Sequence, residues 1–215
     1  MQRLRIRFSR GQEIKFISHL DLIRLWQRAL HRAGVSLAYS EGFSPHPRIS
    51  LAAPLPVGVT SEAELMDVVC AEWVSPHWFA AGASQQLPAG IEILQVYQIA
   101  LTLPSLQSQV HYAEYRVEVE TKKRREDVES AIAGLLSAEH LSWRHQRDTS
   151  WRSYDLRALI DDLWFVDWHP PYATIGMRLR CDNSGSGRAE QVTAALGFSL
   201  YPRSIHRTGL VLEAG

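Results

Sequence analysis

The feature that most constrains the fold is a strand that alternates without a miss and leads into an amphipathic helix. Residues 3–8 read RLRIRF, so that leucine, isoleucine and phenylalanine point to one side and three arginines point to the other. Apolar residues then recur at helical spacing over residues 22–33. Ser18 and Asp21 fit a capping box at the start of this helix, and Gly34 suits its end. The chain therefore opens with a half-buried strand and a helix that face one core.

The rest of the first half completes a recognisable order of elements. Its patterns predict strands at 49–55 and 64–71, a helix over 75–86 and a strand at 91–100. The resulting order is β-α-β-β-α-β, the split βαβ arrangement, in which two helices cover one face of a four-stranded antiparallel sheet.

A similar order recurs in the second half. Strands are expected at 111–120, 141–147, 173–181 and 205–213, and helices at 123–138 and 187–196. The fold prediction is α+β, with two tandem ferredoxin-like (β-α-β-β-α-β) domains that have antiparallel sheets. The first domain spans 1–100, a linker spans 101–109, and the second domain spans 110–215. The second domain carries an insertion at 148–170, where WRSYDLRALIDDLW predicts a short helix.

Composition and motifs exclude several classes of function. No apolar run reaches the roughly 18 residues of a membrane helix, and the charged, alternating N-terminus is unlike a signal peptide, so a cytoplasmic protein without a membrane association is predicted. Cys70 and Cys181 are the only cysteines and form no Cys-x-x-Cys pair. No H-E-x-x-H motif is present. The sequence therefore predicts no metal site and no cofactor bound by this chain.

The formal net charge of zero hides a gradient along the chain. Residues 1–57 carry nine Lys/Arg against three Asp/Glu, and residues 58–100 carry five Asp/Glu and no Lys/Arg. Within the basic segment, Arg24, Arg28 and Arg32 lie four residues apart and share one helix face. Guanidinium groups in such a row suit phosphate or carboxylate, although an ordinary solvated face has the same pattern.

The three arginines of the first strand raise a separate question. A strand that places Arg3, Arg5 and Arg7 on the open side of a sheet predicts an acidic cover. RNA is one candidate, because common RNA-binding modules use the same sheet face. The second half of the chain is the other candidate, since Glu114, Glu118 and Glu120 lie on the polar face of its first strand.

Two histidines are candidates for binding or catalysis. His19 lies at the predicted N-terminus of the first helix. His46 stands between two prolines in the stiff loop EGFSPHPRIS, residues 41–50, beside Ser44 and Arg48. If the helix start and this loop meet, they form an anion-binding pocket from helix N–H groups and arginines. Local structural roles are the alternative for both histidines.

The motifs resemble one bacterial family. The matching segments are KFISHLDLIRLWQRALHRAG (15–34) and AYSEGFSPHPRISLAAPLPVGVTSEAELMDV (38–68), with weaker similarity in YDLRALIDDL (154–163) and IHRTGLVLE (205–213). Together they resemble the bacterial radical-SAM-linked domain of unknown function in its stand-alone form. The resemblance implies a radical-SAM enzyme as partner. That partner would carry the iron–sulfur cluster and S-adenosylmethionine, because this chain lacks the three-cysteine motif.

Three hypotheses of function follow. The first is a non-catalytic accessory module that binds a substrate, RNA or specifically tRNA, for modification by the radical-SAM partner. The second is a metal-independent RNA-cleaving enzyme in which His19 or His46 acts as general acid–base. The third is a purely structural interaction subunit whose arginine-bearing strand is buried against its own second domain. The residues predicted to bind an anion or RNA are Ser18, Asp21, Arg24, Arg28, Arg32, Ser44, His46 and Arg48.

Overall fold

The structure is a computed structural model and describes residues 1–147, 150–199 and 201–213. The fold is mixed α+β, and its largest component is β-sheet, which is mostly antiparallel. The chain divides into two compact units, the first spanning residues 1–110 and the second beginning at residue 111. Among the described residues, no helix has the length and apolar character that a membrane crossing requires.

The first unit contains four strands and three helices. They are, in chain order, β1 (Gln2–Arg10), α1 (His19–Arg32), β2 (Ile49–Leu51), β3 (Thr60–Cys70), α2 (Pro76–Ser84), β4 (Ile91–Ile99) and α3 (Leu106–Gln109). The sheet order is β2-β3-β1-β4, and each neighbouring pair is antiparallel. The strand with the alternating pattern is thus an inner strand of this sheet, between β3 and β4.

The predicted apolar face of β1 forms the core of this unit. Leu4, Ile6 and Phe8 are fully buried, as is Trp26 of α1. The Phe8 and Trp26 rings meet edge to face with their centroids 5.0 Å apart. The alternation along β1 and the helical spacing along α1 therefore converge on one cluster, as the sequence predicts.

Both ends of α1 follow the sequence signals. The Ser18 hydroxyl accepts a hydrogen bond from the backbone N–H of Asp21 at 3.2 Å, so Ser18 is the N-cap. Gly34 adopts a positive φ of 74° just after the helix, and its N–H donates to the carbonyl of His31. The predicted cap and stop are confirmed.

The polar face of β1 is covered from within the first unit. Arg3 and Arg5 are buried, and both donate to Asp67 of β3, at 2.7 Å from Arg3 Nη2 and 2.8 Å from Arg5 Nε. Asp67 is directly opposite Arg5 in the β1–β3 register. The expectation that an exposed arginine row needs RNA or the glutamates of the second half as its cover is wrong for these two residues. Arg7 is exposed and donates to the carbonyl of Glu62.

Two of the three glutamates predicted as that cover, Glu114 and Glu118, pair within the second unit. Glu114 accepts from Arg178 at 2.8 Å, and Glu118 pairs with Arg203 at 3.2 Å. All four of these residues belong to the second unit.

The segment predicted as a linker, residues 101–109, is tied to the first unit. Arg3 donates to the carbonyls of Leu103 and Pro104 at 2.7 and 2.9 Å, and Arg5 donates to the side chain of Gln109. Leu106, at the start of α3, is fully buried. The arginines of β1 therefore anchor the chain where it leaves the first sheet.

The second unit is built from the remaining elements. They are β5 (Val110–Glu120), α4 (Arg125–Ser137), β6 (Ser142–Arg147), β7 (Ser150–Asp155), β8 (Ile160–His169), β9 (Tyr172–Asp182), β10 (Gly185–Ser186), α5 (Ala189–Ala195) and β11 (Ser204–Leu212). In its sheet, β5 lies between β9 and β11, and β8 and β10 both pair with β9. The antiparallel pair β6-β7 stands as a separate two-stranded sheet.

The short helix predicted within the insertion at 148–170 is wrong. Its sequence forms β7, one 3₁₀ turn at Arg157–Leu159 and the start of β8. Leu156, Ile160 and Leu163 are buried, and their spacing imitates a helix because the tight turn sits between two strands. Pairing of β8 with β9 decides the outcome.

Candidate nucleic-acid interface

A buried arginine holds the chain in place just before α1. Arg10, at the end of β1, is 1% exposed and donates to the carbonyls of Ile14, Lys15 and Ile17. A single guanidinium thus donates to three carbonyls of the segment that joins β1 to α1. The first turn of α1, with Ser18 and His19, starts from this fixed segment.

The arginine row of α1 is exposed to solvent. Arg24, Arg28 and Arg32 are all exposed, in contrast to Arg3 and Arg5 of the same unit. Spacing by four places them on one helix face, as predicted. The row therefore forms a positively charged surface that is accessible from solvent.

Neighbouring groups orient two members of the row. Arg24 lies 3.3 Å from Asp21, and Arg32 donates to the backbone carbonyl and side chain of Gln86 at 2.8 and 3.2 Å. The Ser18 hydroxyl, followed by Arg24, lowers the pKa of the Asp21 carboxyl because both stabilise its charged form. Asp21 thus stays ionised and partly neutralises the N-terminal end of the row, so the positive charge concentrates towards Arg28 and Arg32.

A cavity of about 630 Å³ lies beside the C-terminal half of the row. Its α1 side is formed by Gln27, Arg28, His31 and Arg32, and its other side by Gly34–Leu37, Tyr39 and Ala71. The arrangement combines guanidinium donors, an imidazole and an aromatic ring in one concave surface. This combination suits an anionic ligand that also carries a flat, apolar part.

Backbone bonds to the end of β3 hold the far wall of the cavity. The N–H of Ala71 donates to the carbonyl of Ser36, and the N–H of Ala38 donates to that of Val69, both at 2.8 Å. Leu37 also bridges to Cys70. Backbone hydrogen bonds therefore fix the far wall of the cavity to the end of β3.

The EGFSPHPRIS loop closes on its own backbone. The His46 N–H donates to the Ser40 hydroxyl at 3.0 Å, and the Ser40 N–H donates back to the His46 carbonyl at 2.8 Å. Tyr39 bridges to Pro47 at the base of the loop, and Tyr39 also lines the cavity. The side chains of Ser44, His46 and Arg48 are exposed. The loop thus flanks the cavity through Tyr39 and presents its polar side chains to solvent.

The structure unites the predicted site residues only in part. The α1 set, from Ser18 to Arg32, lies on one helix, and Arg28 and Arg32 reach the cavity. In the part of the chain that the structure describes, no hydrogen bond or ion pair joins Ser18–Arg24 to Ser44–Arg48. The predicted meeting of His19 with His46 therefore stays a prediction, as does catalysis by either histidine.

Exposed aromatic side chains are the part of this surface that sequence reasoning missed. Tyr39, Trp73 and Trp78 are 50%, 72% and 49% exposed. Trp73 and Trp78 line a second cavity of about 380 Å³, which shares Gly34–Ser36 with the first. A signal was present, since Trp73 follows the buried strand β3 by three residues and precedes the cap of α2 at Ser75.

Metal ligation has no support in this surface. Over residues 1–147, 150–199 and 201–213, no group of three or more His, Cys, Asp or Glu side chains is placed to hold an ion.

Comparison with models of protein families assigns the chain to a family. A family model described as "Uncharacterized protein conserved in bacteria (DUF2344)" matches residues 3–189. The chain belongs to this family. The DUF2344 match supports the predicted resemblance to a bacterial domain of unknown function, and the radical-SAM link stays a prediction. No curated protein matches the sequence significantly.

Solved structures show where this DUF2344 fold recurs. A chain of a Cbf5–Nop10–Gar1 complex is 8% identical, with a TM-score of 0.54 over 98% of this chain and 50% of that one. A chain of an archaeal box H/ACA sRNP Nop10–Cbf5 complex is also 8% identical, with a TM-score of 0.50 over 98% of this chain and 49% of that one. This chain thus spans about half the length of those chains, and the likeness at such low identity concerns the fold alone.

Proposed function

We propose that this DUF2344 protein is a non-catalytic accessory module that binds RNA, with tRNA as the first candidate, for an RNA-modifying partner. The observation that carries the proposal is the exposed row of Arg24, Arg28 and Arg32, whose last two members open into the 630 Å³ cavity. A polyanion satisfies several guanidiniums at once, and each phosphate contact releases counterions.

The charge distribution supports the same assignment. The row lies in the segment 1–57, which is basic although the whole chain is neutral. A local basic surface on a neutral protein favours one docking face over diffuse attraction. Arg3 and Arg5 of β1 are not available to this face, because they are buried and bonded to Asp67, and Arg3 also donates to backbone carbonyls.

The fold agrees with this role. We propose that each unit is ferredoxin-like, which the order β2-β3-β1-β4 in the first unit and the β8-β9-β5-β11 path in the second support. The fold likeness also extends to a chain of an archaeal box H/ACA sRNP, a particle that its name describes as containing RNA. That context is compatible with RNA binding and assigns no residue in this chain.

The identity of the partner is proposed from the family resemblance alone. A radical-SAM enzyme would bring the iron–sulfur cluster and S-adenosylmethionine, and this chain would bring the RNA. The third hypothesis, a structural subunit, rested on burial of the arginine-bearing strand against the second unit, whereas Arg3 and Arg5 of that strand pair with Asp67 of the first unit.

Salt-dependent binding of tRNA tests the proposal. Fluorescence anisotropy with bulk tRNA at several salt concentrations gives the slope of log K against log salt. Each lost phosphate contact reduces that slope by about 0.9, so the Arg24→Ala/Arg28→Ala variant should lose about 2.

Arg125→Ala provides the matched control, because Arg125 is exposed on α4 and pairs with Glu129 at 2.9 Å. Its slope should equal that of the wild type. Equal slopes in all three proteins, or no tRNA binding at low salt, would contradict the proposed function.

A further inference from the structure

The second cavity differs in chemistry from the first although the two adjoin. Both include Gly34–Ser36, but the first continues to Arg28 and Arg32 and the second continues to Glu72, Trp73 and Trp78. A ligand that spans both cavities therefore meets cations at one end and two indoles with a carboxylate at the other. A nucleotide has this division, with a charged phosphate at one end and a flat, uncharged base at the other.

The two indoles are exposed beyond what packing needs. Trp73 and Trp78 are 72% and 49% exposed, while Phe79, next to Trp78 on α2, is fully buried. Phe79 and Ala83 already supply the apolar face by which α2 joins the core. Indoles that a core does not use, in a concave surface, are the side chains on which unpaired bases stack.

Glu72 supplies a carboxylate to the lining of the second cavity. Glu72 repels phosphate, so the charged part of a nucleotide stays on the arginine side. A carboxylate accepts hydrogen bonds from base amino groups such as N4 of cytosine. Uracil has no exocyclic amino group to offer. Burial raises the pKa of the Cys70 thiol in the same cavity to about 11, so the thiol stays neutral and adds no charge.

We propose that the second cavity binds an unpaired base of single-stranded RNA, stacked on Trp73 and Trp78, and that Glu72 favours bases with an amino group. The phosphates next to this base contact Arg28 and Arg32. This inference rests on the proposed function and adds to it the single-stranded form of the RNA and a preference for cytosine over uracil.

Short oligonucleotides test the stacking. The probes are 12-residue oligo(C), oligo(U) and an abasic strand of equal length, which keeps the phosphates and lacks the bases. Stacking on an aromatic side chain contributes roughly 1–3 kcal/mol per base, so Trp73→Ala/Trp78→Ala should weaken oligo(C) binding by about 10-fold or more. Binding of the abasic strand should not change. Trp151→Ala is the matched control, because Trp151 is 62% exposed in the second unit.

The preference for amino-bearing bases has its own readout. Wild-type protein should bind oligo(C) more tightly than oligo(U), and Glu72→Ala should bring the two affinities together. The ratio of affinities is informative even if removal of a negative charge strengthens all binding, and it keeps the test valid if the double tryptophan variant fails to fold.

The outcomes separate this inference from the proposed function. Equal, salt-dependent binding of oligo(C), oligo(U) and the abasic strand, unchanged in the tryptophan variant, would overturn the base site and leave the RNA-binding proposal standing. No binding of any strand or of tRNA at low salt would overturn both.

Discussion

Two sets of arginines in the first unit differ in their exposure to solvent. Arg3 and Arg5 of β1 are buried against Asp67, whereas Arg24, Arg28 and Arg32 of α1 are exposed. The sequence spacing within each row predicts which side chains share a face, but it does not predict which residues of neighbouring elements face them. The neighbouring strand settles the first case, because β3 places a carboxylate across from Arg5. Asp21 lies 3.3 Å from Arg24 in the α1 row, but all three arginines of that row are exposed, and for this reason we propose the row as the binding surface.

Disruption of the buried ion pairs of Arg3 and Arg5 should cause the largest loss of unfolding free energy. Asp67→Ala leaves two guanidiniums without their carboxylate in a desolvated position, which should lower the free energy of unfolding by about 3–5 kcal/mol. Urea denaturation measures it. Glu129→Ala, which removes a surface i,i+4 pair on α4, should cost about 0.5 kcal/mol. A loss for Asp67→Ala as small as that of the control would contradict the buried network.

A double-mutant cycle sharpens the same contrast. Arg5→Met combined with Asp67→Ala should show a coupling of about 1–3 kcal/mol, since residues in one buried network are not additive. The hydrogen bond to Asp67 also raises the pKa of Arg5, so the guanidinium remains charged throughout the titration range. The Arg125–Glu129 cycle should couple by less than about 0.5 kcal/mol. Additive effects of Arg5 and Asp67 would show that their contact contributes nothing.

The start of α1 offers a smaller change. Ser18→Ala removes the N-cap hydroxyl and should cost about 1 kcal/mol of unfolding free energy, and Ser18→Thr should restore most of it. Ser44→Ala, in the exposed loop, is the neutral comparison. Thermal or urea unfolding measures all three variants. A Ser18→Ala protein as stable as the wild type would mean that the cap is dispensable.

The smallest expected effect is a change in the pKa of Asp21 when one of its neighbours is replaced. The Ser18 hydroxyl and then Arg24 lower it, so Asp21 favours the folded state at pH values above its unfolded pKa, and that contribution disappears as pH falls through the folded pKa. Carboxyl-detected NMR titration should show the pKa rising towards its ordinary value in Ser18→Ala, and by less in Arg24→Ala. An unchanged pKa in both variants would rule out these causes.

Local patterns predicted much of the first unit. The period of two in β1, the helical spacing of α1 and the caps at Ser18 and Gly34 are all present in the structure. These features depend on neighbours within a few residues, which the sequence displays directly.

Pairing between residues that are far apart in the sequence could not be predicted from local patterns. Asp67 lies 62 residues from Arg5, so no local pattern marks it as the partner. The helix predicted over 151–164 failed for the same reason, because β8 pairs with β9. In the candidate site, the arginine row could be predicted from its spacing, but the cavities and the exposure of Trp73 and Trp78 depend on how the segment after α1 packs at the end of β3.

Side-chain NMR of the arginines tests the central claim most directly. Protein labelled with ¹⁵N is titrated with unlabelled oligo(C), and the Nε–Hε signals of both rows are followed in one experiment. The signals of Arg24, Arg28 and Arg32 should shift with RNA, while those of Arg3 and Arg5 should stay in place. Shifts confined to Arg3 and Arg5, or no shift in either row at saturating RNA, would contradict the account.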